Sequence, residues 1–350
     1  MTGISAYGTS IPLRRIKVEE IAKQWGDNPE NIKNGLRVKE KTVRNHDEDS
    51  ATLAVEASRE AIKTNQINAK QIEAVYVGSE SPPYAVKPTA GIVAEAVGAT
   101  PNLTGADLEF ACKAGTAGIQ AAIGMIKSNE IDKALVIGTD TSQSSPNNAL
   151  EYSAGCGAGA LVLDKQGEIA EIKKTTSYTT DTPDFWRKAH KEFPDHGGRF
   201  TGKPAYFKHV INSTKNLLEQ TGKDKEEFDY FIFHQPNGKF PLKAAKKLEI
   251  PKEKVEPGLV TPKIGNTYSA ATFLGLSNVL DRAKPGQEIL LTSYGSGAGS
   301  DSFWIKMKQQ PENKLEKKKP EKTLEDKINR KKYVDYGTYA SYMNKLKEVY

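Results

Sequence analysis

The stretch "EFACKAGTAG" (109–118) sets Cys112 between an aromatic and a run of small residues, where a helix would begin. Unpaired N–H groups and the dipole at a helix start stabilise a thiolate. The same groups can hold an oxyanion on an acyl group carried by sulfur. The simpler alternative is a small buried hydrophobe, a common fate of free cysteine. Cys156, inside "GCGAGA", is read as fitting a tight backbone turn.

Three further side chains could serve that thiol. His234 follows the apolar run "YFIF" and precedes "QPNGKF". A histidine at the C-terminal end of a strand commonly borders a cleft in α/β proteins. Glu80 ends "AVYVGSE", and a partly buried glutamate has a raised pKa suited to proton abstraction. Asn266, in "PKIGNTYSA", precedes a second small-residue helix, where it is either a cap or a site residue. "SYGSGAGSD" (293–301) offers glycine-backed N–H groups around Ser296. Lys243 and Lys247 share a helical face with Lys239 just upstream, and with Arg199 in "HGGRFTG" they could hold phosphates. His190, His196 and His209 lack metal-ligand spacing, and no metal site is expected.

The elements that must position these groups recur. Short apolar, β-branched runs at 73–80, 133–140, 159–164, 229–236, 288–295 and 302–307 read as buried strands between helical stretches, an α/β protein. "EAVYVGSE" and "DYFIFHQP" are 156 residues apart, "KALVIGTD" and "EILLTSYG" 155, and the helix from Cys112 meets "TYSAATFLGLSNVL" at 155. This register predicts two similar halves, 1–165 and 166–308, whose strand ends and helix starts face one cleft. Both small-residue helices, Ala114 to Ile126 and Tyr268 to Leu280, are uncharged. They are expected to be buried, with Gly115, Gly118 and Gly124 serving close packing.

Bulk composition excludes several classes. With 37% hydrophobic and 27% charged residues the chain reads as globular. No segment approaches a membrane span. Two cysteines make a disulfide framework improbable and a reducing cytoplasm the expected compartment. The net charge of +6 is concentrated in 309–350, so no nucleic-acid footprint is expected. That basic segment, with four tyrosines from Tyr333 to Tyr342, reads as a solvated extension or an aromatic cluster that docks on a partner.

Together "EFACKAGTAG", "FHQPNGKF", "GNTYSAA" and "SYGSGAGSD" resemble the thiolase superfamily, and within it the archaeal type of 3-hydroxy-3-methylglutaryl-CoA (HMG-CoA) synthases, over essentially all of 1–308. The resemblance implies a five-layered αβαβα fold with the active site between its halves. It implies that Cys112 is acylated by acetyl-CoA and that Glu80 removes a methyl proton. The carbon nucleophile attacks acetoacetyl-CoA, His234 and Asn266 orient that substrate and protonate the alkoxide, and hydrolysis releases HMG-CoA. Cys112 and Ser296 N–H groups would form an oxyanion hole, Arg199, Lys239 and Lys243 would hold CoA, and Ser153 and Thr201 would line the pocket. No cofactor beyond the CoA thioesters is implied. Expected partners are further copies of the chain, an acetoacetyl-CoA thiolase and a zinc-ribbon OB-fold protein. A ketoacyl synthase III would share Cys, His and Asn but has no evident need for Glu80. A biosynthetic thiolase would carry a second cysteine where Ser296 stands. A non-catalytic acyl-CoA-binding scaffold remains the alternative from another class.

Overall fold

The computed structural model describes residues 2–141 and 144–344. Nine strands form one continuous mixed sheet. In spatial order these are Tyr230–Phe233, Glu288–Thr292, Gly299–Met307, Ala170–Thr179, Gly3–Ser10, Gly157–Asp164, Lys133–Asp140, Ala74–Gly78 and Thr104–Leu108. The repeat is visible in this order. Numbered within each half, the first half runs 3-2-4-5-1 and the second 2-4-5-1, and in both the fifth strand is antiparallel to its neighbours. Where the third strand of the second half would fall, the chain makes the 3-10 turn Glu256–Gly258. The halves are joined edge to edge by Gly3–Ile4 against Ala170–Glu171.

Alternation along the strands builds the layers. In Lys133–Asp140, Ala134 and Val136 face a central core while Leu135 and Ile137 face an outer one. In the other half Ile289 and Leu291 join that same central core while Leu290, Phe231 and Phe233 face a second outer one. The helices Ala114–Lys127 and Ser269–Leu280 fill the central core through Ile119, Ile123, Phe273 and Leu276. Ser50–Thr64 and Thr89–Ala96 cover one outer face, and Lys208–Thr221 and Phe240–Lys247 the other. Five layers result, as expected.

Two details differ from the sequence reading. Ser269–Leu280 is buried along its whole length, but Ala121 and Gly124 of the first helix are exposed. A Cβ on Gly115 would lie 2.6 Å from Phe273 Cε2 and 3.1 Å from Gly138 Cα, whereas one on Gly124 would meet nothing within 4 Å. Packing therefore accounts for Gly115 and not for Gly124. The reason is position: this helix lies beside the end strand Thr104–Leu108, so one of its faces has no layer over it.

The basic tail is not a free extension over its described part. Lys332–Tyr333 adds a parallel strand to Arg14–Lys17, which pairs with Glu40–Val43. Leu315, Leu324, Ile328 and Tyr339 are buried, and the helix Tyr336–Tyr342 packs on the first half. The three-residue spacing of Tyr336, Tyr339 and Tyr342 turns them onto the first half's outer core, while Lys319 and Lys327 upstream donate to the Asp281 and Thr9 carbonyls. The aromatic cluster thus docks on its own chain, with residues 345–350 outside the described part.

Candidate active site

Glu80 and His234 stand just beyond the C-terminal ends of corresponding strands, Ala74–Gly78 and Tyr230–Phe233. Cys112 lies in the 3-10 turn Ala111–Lys113 that leads into the first central helix. Asn266 lies just ahead of the second. Both approaches turn sharply: Ala111 has φ +44° and Tyr268 φ +51°, each costing roughly 1–3 kcal/mol. Such strain persists only where the surroundings fix it, and here it aims two helix starts at one place.

That place is a narrow cavity of about 60 Å³, bordered by Cys112, His234, Asn266, Ser153, Thr201 and Ser296. Phe185 and Ser296 also border a wider vestibule of about 680 Å³ that Glu80 shares. The Cys112 Sγ–H donates to Glu80 Oε1 at 3.1 Å. Asn266 is pinned through its backbone to Ser153 O (2.6 Å) and Gly155 N (2.7 Å). Its Oδ1 accepts from Tyr268 N at 2.9 Å, which leaves the amide NH₂ to donate elsewhere. The His234 N–H donates to Thr292 O, and its carbonyl accepts from Tyr206 OH at 2.6 Å. The imidazole Nδ1 is buried without a partner.

Electrostatics follow from burial. Burial and the neighbouring Asp140 carboxylate push the Glu80 carboxyl well above the usual range. Burial and Glu80 push the Cys112 thiol up in turn. The resting form is therefore a thiol hydrogen-bonded to Glu80, not the helix-stabilised thiolate expected from sequence. Burial pulls His234 down to about 3, so its ring is neutral. Cys156, pushed up to about 11 by burial and bonded through its backbone to Thr42, is structural as expected.

Two carboxylates that organise the site gave no sequence signal. Asp140 Oδ1 accepts from Ser79 Oγ (2.9 Å), Glu80 N (2.9 Å) and Ser81 Oγ (2.6 Å), and Oδ2 from Ser269 N (2.8 Å). It ties the Glu80 loop to the second central helix, and burial raises its own pKa to about 6. Asp184 accepts from Tyr294 OH (2.6 Å) and Gly297 N (2.9 Å), fixing the turn that carries Ser296. Their position at a strand end and in a loop over the cleft was the only available hint.

The predicted cations are less tightly gathered. Lys239 is half-buried beside Phe240, whose ring lines the cavity, and Lys243 is exposed one helical turn on. Arg199 is exposed, stacks over Phe200 and does not line the cavity, although Thr201 two residues later does. Arg37, packed against Gly238, is a further exposed cation near Lys239 that the sequence reading missed. Among the described residues no cluster of three or more His, Cys, Asp or Glu side chains could hold a metal ion.

A repeated half with a cysteine at one central helix, and a histidine and an asparagine from the other half, defines the thiolase-like condensing enzymes. Models of 3-oxoacyl-[acyl-carrier-protein] synthase III match residues 106–181 and, for its C-terminal part, 218–307. The synthase III structure FabH from Pseudomonas aeruginosa PAO1 superimposes with TM-score 0.81 at 20% identity, covering 89% of this chain and 99% of that one. The structure of MvaS in complex with 3-hydroxy-3-methylglutaryl coenzyme A gives 0.87 at 24%, covering 98% and 91%. Hydroxymethylglutaryl-CoA synthases from Methanocaldococcus jannaschii (57% identical, 99% of this chain and 100% of that one) and Methanosphaera stadtmanae (55%, 99% of each) align over 347 residues. The chain belongs to the hydroxymethylglutaryl-CoA synthase family, which makes it an acyl-transferring enzyme of the condensing type.

Proposed function

We propose that the chain condenses acetyl-CoA with acetoacetyl-CoA to HMG-CoA through an acetyl-Cys112 thioester. The observation that carries this reading is the Cys112 thiol on the Glu80 carboxylate at 3.1 Å, in a cavity that His234 and Asn266 also border. Glu80 takes the thiol proton as sulfur attacks the acetyl carbonyl, and CoA leaves as its thiol. The regenerated carboxylate, raised in pKa, then removes a methyl proton. The resulting enolate carbon bonds to the ketone carbon of acetoacetyl-CoA. The neutral His234 ring and the Asn266 amide hydrogen-bond the oxygen that becomes an alkoxide; His234 passes its ring proton to that oxygen, and the proton Glu80 took from the methyl group restores the neutral ring. Water cleaves the thioester and restores the thiol.

The backbone N–H groups of Cys112 and Ser296 are assigned to the acyl oxyanion, and Ser153 and Thr201 to the pocket wall. Lys239, next to Phe240 of the cavity wall, Lys243 one helical turn on and Arg199 are assigned to the CoA phosphates. The thioesters supply the reactivity, and the reading calls for no metal or organic cofactor. It places the chain in the cytoplasm and in the mevalonate route to isoprenoids. The end strand Thr104–Leu108 and the uncovered face at Ala121 and Gly124 support a homo-oligomer. Exposed Trp186 at the vestibule, with exposed Tyr84 and Val86, supports a larger assembly with an acetoacetyl-CoA thiolase and a zinc-ribbon OB-fold protein.

Intact-mass spectrometry after incubation with acetyl-CoA alone tests the first step. One added acetyl group, absent in Cys112→Ala and formed more slowly in Glu80→Ala, which lacks the base for the thiol proton, is expected. A folded, unacetylated wild-type protein would refute the reading and favour a binding scaffold.

A further inference from the structure

Lys113, the residue after the thiol, turns away from the cavity into the protein. Its Nζ lies 3.0 Å from Asp301 Oδ2, with side chains only 7% and 1% exposed, and 4.2 Å from the centre of the Phe110 ring. Asp301 is held in turn by Thr116 Oγ1 on the first central helix (2.8 Å) and by Ser177 Oγ (2.9 Å). Its backbone N–H donates to Ser293 Oγ (3.1 Å). The turn carrying Ser296 closes by reciprocal bonds between Gly295 and Gly299 (2.8 and 2.9 Å) and lies directly on Lys113 and Phe110. A Cβ on Gly295 would stand 2.8 Å from Lys113 Cγ and run into the Phe110 carbonyl. One on Gly299 would stand 2.8 Å from Phe110 Cζ and 3.0 Å from Lys113 Cε.

We infer that Lys113 and Asp301 are positioning residues for acyl transfer, a buried clamp that sets the spacing between the Cys112 turn and the Ser296 turn. The inference rests on the assignment of those two turns to the acyl carbonyl. A buried ion pair adds little stability over apolar residues of the same shape, so stability alone does not explain a charge pair beside the nucleophile. The pair joins the two backbone segments that would have to flank one carbonyl. Its charges cancel locally, so the clamp acts through geometry and not by lowering the thiol's pKa.

The test uses the full chain with rapid-quench intact-mass measurement of acetyl-Cys112 over a range of acetyl-CoA concentrations. Alkylation of Cys112 by iodoacetamide is followed against pH in parallel. A displacement of about 1 Å costs on the order of 100-fold in rate. Lys113→Met is therefore expected to lower the maximal acetylation rate about 100-fold, with the half-saturating acetyl-CoA concentration changed less than about twofold. Lys113→Arg, which keeps the ion pair, is expected to recover roughly tenfold of that loss. The alkylation pH profile stays in place. Wild-type acetylation rates in Lys113→Met, whatever its melting temperature, would overturn the clamp, as would a shifted alkylation profile. If Lys113→Met does not fold, Asp301→Asn is scored by the same loss of maximal rate at unchanged half-saturation. An unacetylated wild-type enzyme would instead remove the functional reading, and the clamp would fall with it.

Discussion

Replacing Asp140 by Asn tests the coupling between the hidden carboxylate and the proposed base. Asp140 accepts four hydrogen bonds, three on Oδ1 and one on Oδ2. An amide keeps only one acceptor oxygen. With that oxygen facing Ser79, Glu80 and Ser81, the NH₂ meets the Ser269 N–H and leaves a buried donor unpaired, a cost of about 1–3 kcal/mol. The loss of charge acts separately. Asp140 is the largest charge effect holding Glu80 up, so its removal lowers the Glu80 pKa. The base works deprotonated, so activity rises as pH passes through that pKa, and a lower pKa moves the acidic limb to lower pH. A weaker base also abstracts the methyl proton more slowly. A misaligned and weakened base together predict a loss of about 10- to 100-fold. The assay is exchange of the acetyl-enzyme methyl protons with D₂O, followed by mass across pH. An acidic limb that stays put or moves to higher pH would refute the coupling, even if the rate falls.

Burial keeps the His234 ring neutral down to about pH 3, so the condensation rate is expected to show no titration of a histidine between about pH 5 and 8. A limb near 6.5 that disappears in His234→Asn would contradict this. Within one helix, Gly115→Ala is expected to lower stability by about 1–3 kcal/mol through overpacking on Phe273. Gly124→Ala is expected to raise it by about 0.5–1 kcal/mol through helix propensity. Urea unfolding midpoints separate the two, and equal effects would refute the packing assignment.

Much of this was legible because chemistry sits where elements end. Glu80, His234, Cys112 and Asn266 fell at the ends of apolar runs, and the recurring spacing of about 155 residues placed them across one cleft. What escaped were strands without an apolar signal. Gly3–Ser10 is buried through small and hydroxyl side chains, Ala170–Thr179 is largely polar, and Thr104–Leu108 is mostly exposed. Asp140 and Asp184 escaped because their roles depend on donors distant in sequence, such as Ser269 and Tyr294. The lysine-rich tail misled because its few buried residues are spaced among charges that shield them.

That tail carries a consequence for how the chain comes to be folded. Lys332 pairs with Arg14, and Tyr336 OH donates to Glu151 Oε1 at 3.0 Å, next to Leu150, which lines the cavity. The wall of the site thus leans on a segment synthesised more than 180 residues later. Contacts of such separation form slowly, after the loop between them has closed. During translation the thiol-bearing half emerges first, yet its pocket wall lacks this brace until the tyrosine-rich segment leaves the ribosome. Acyl-transfer competence is therefore a late property of the nascent chain, acquired as the segment around Tyr339 completes the first half's outer core.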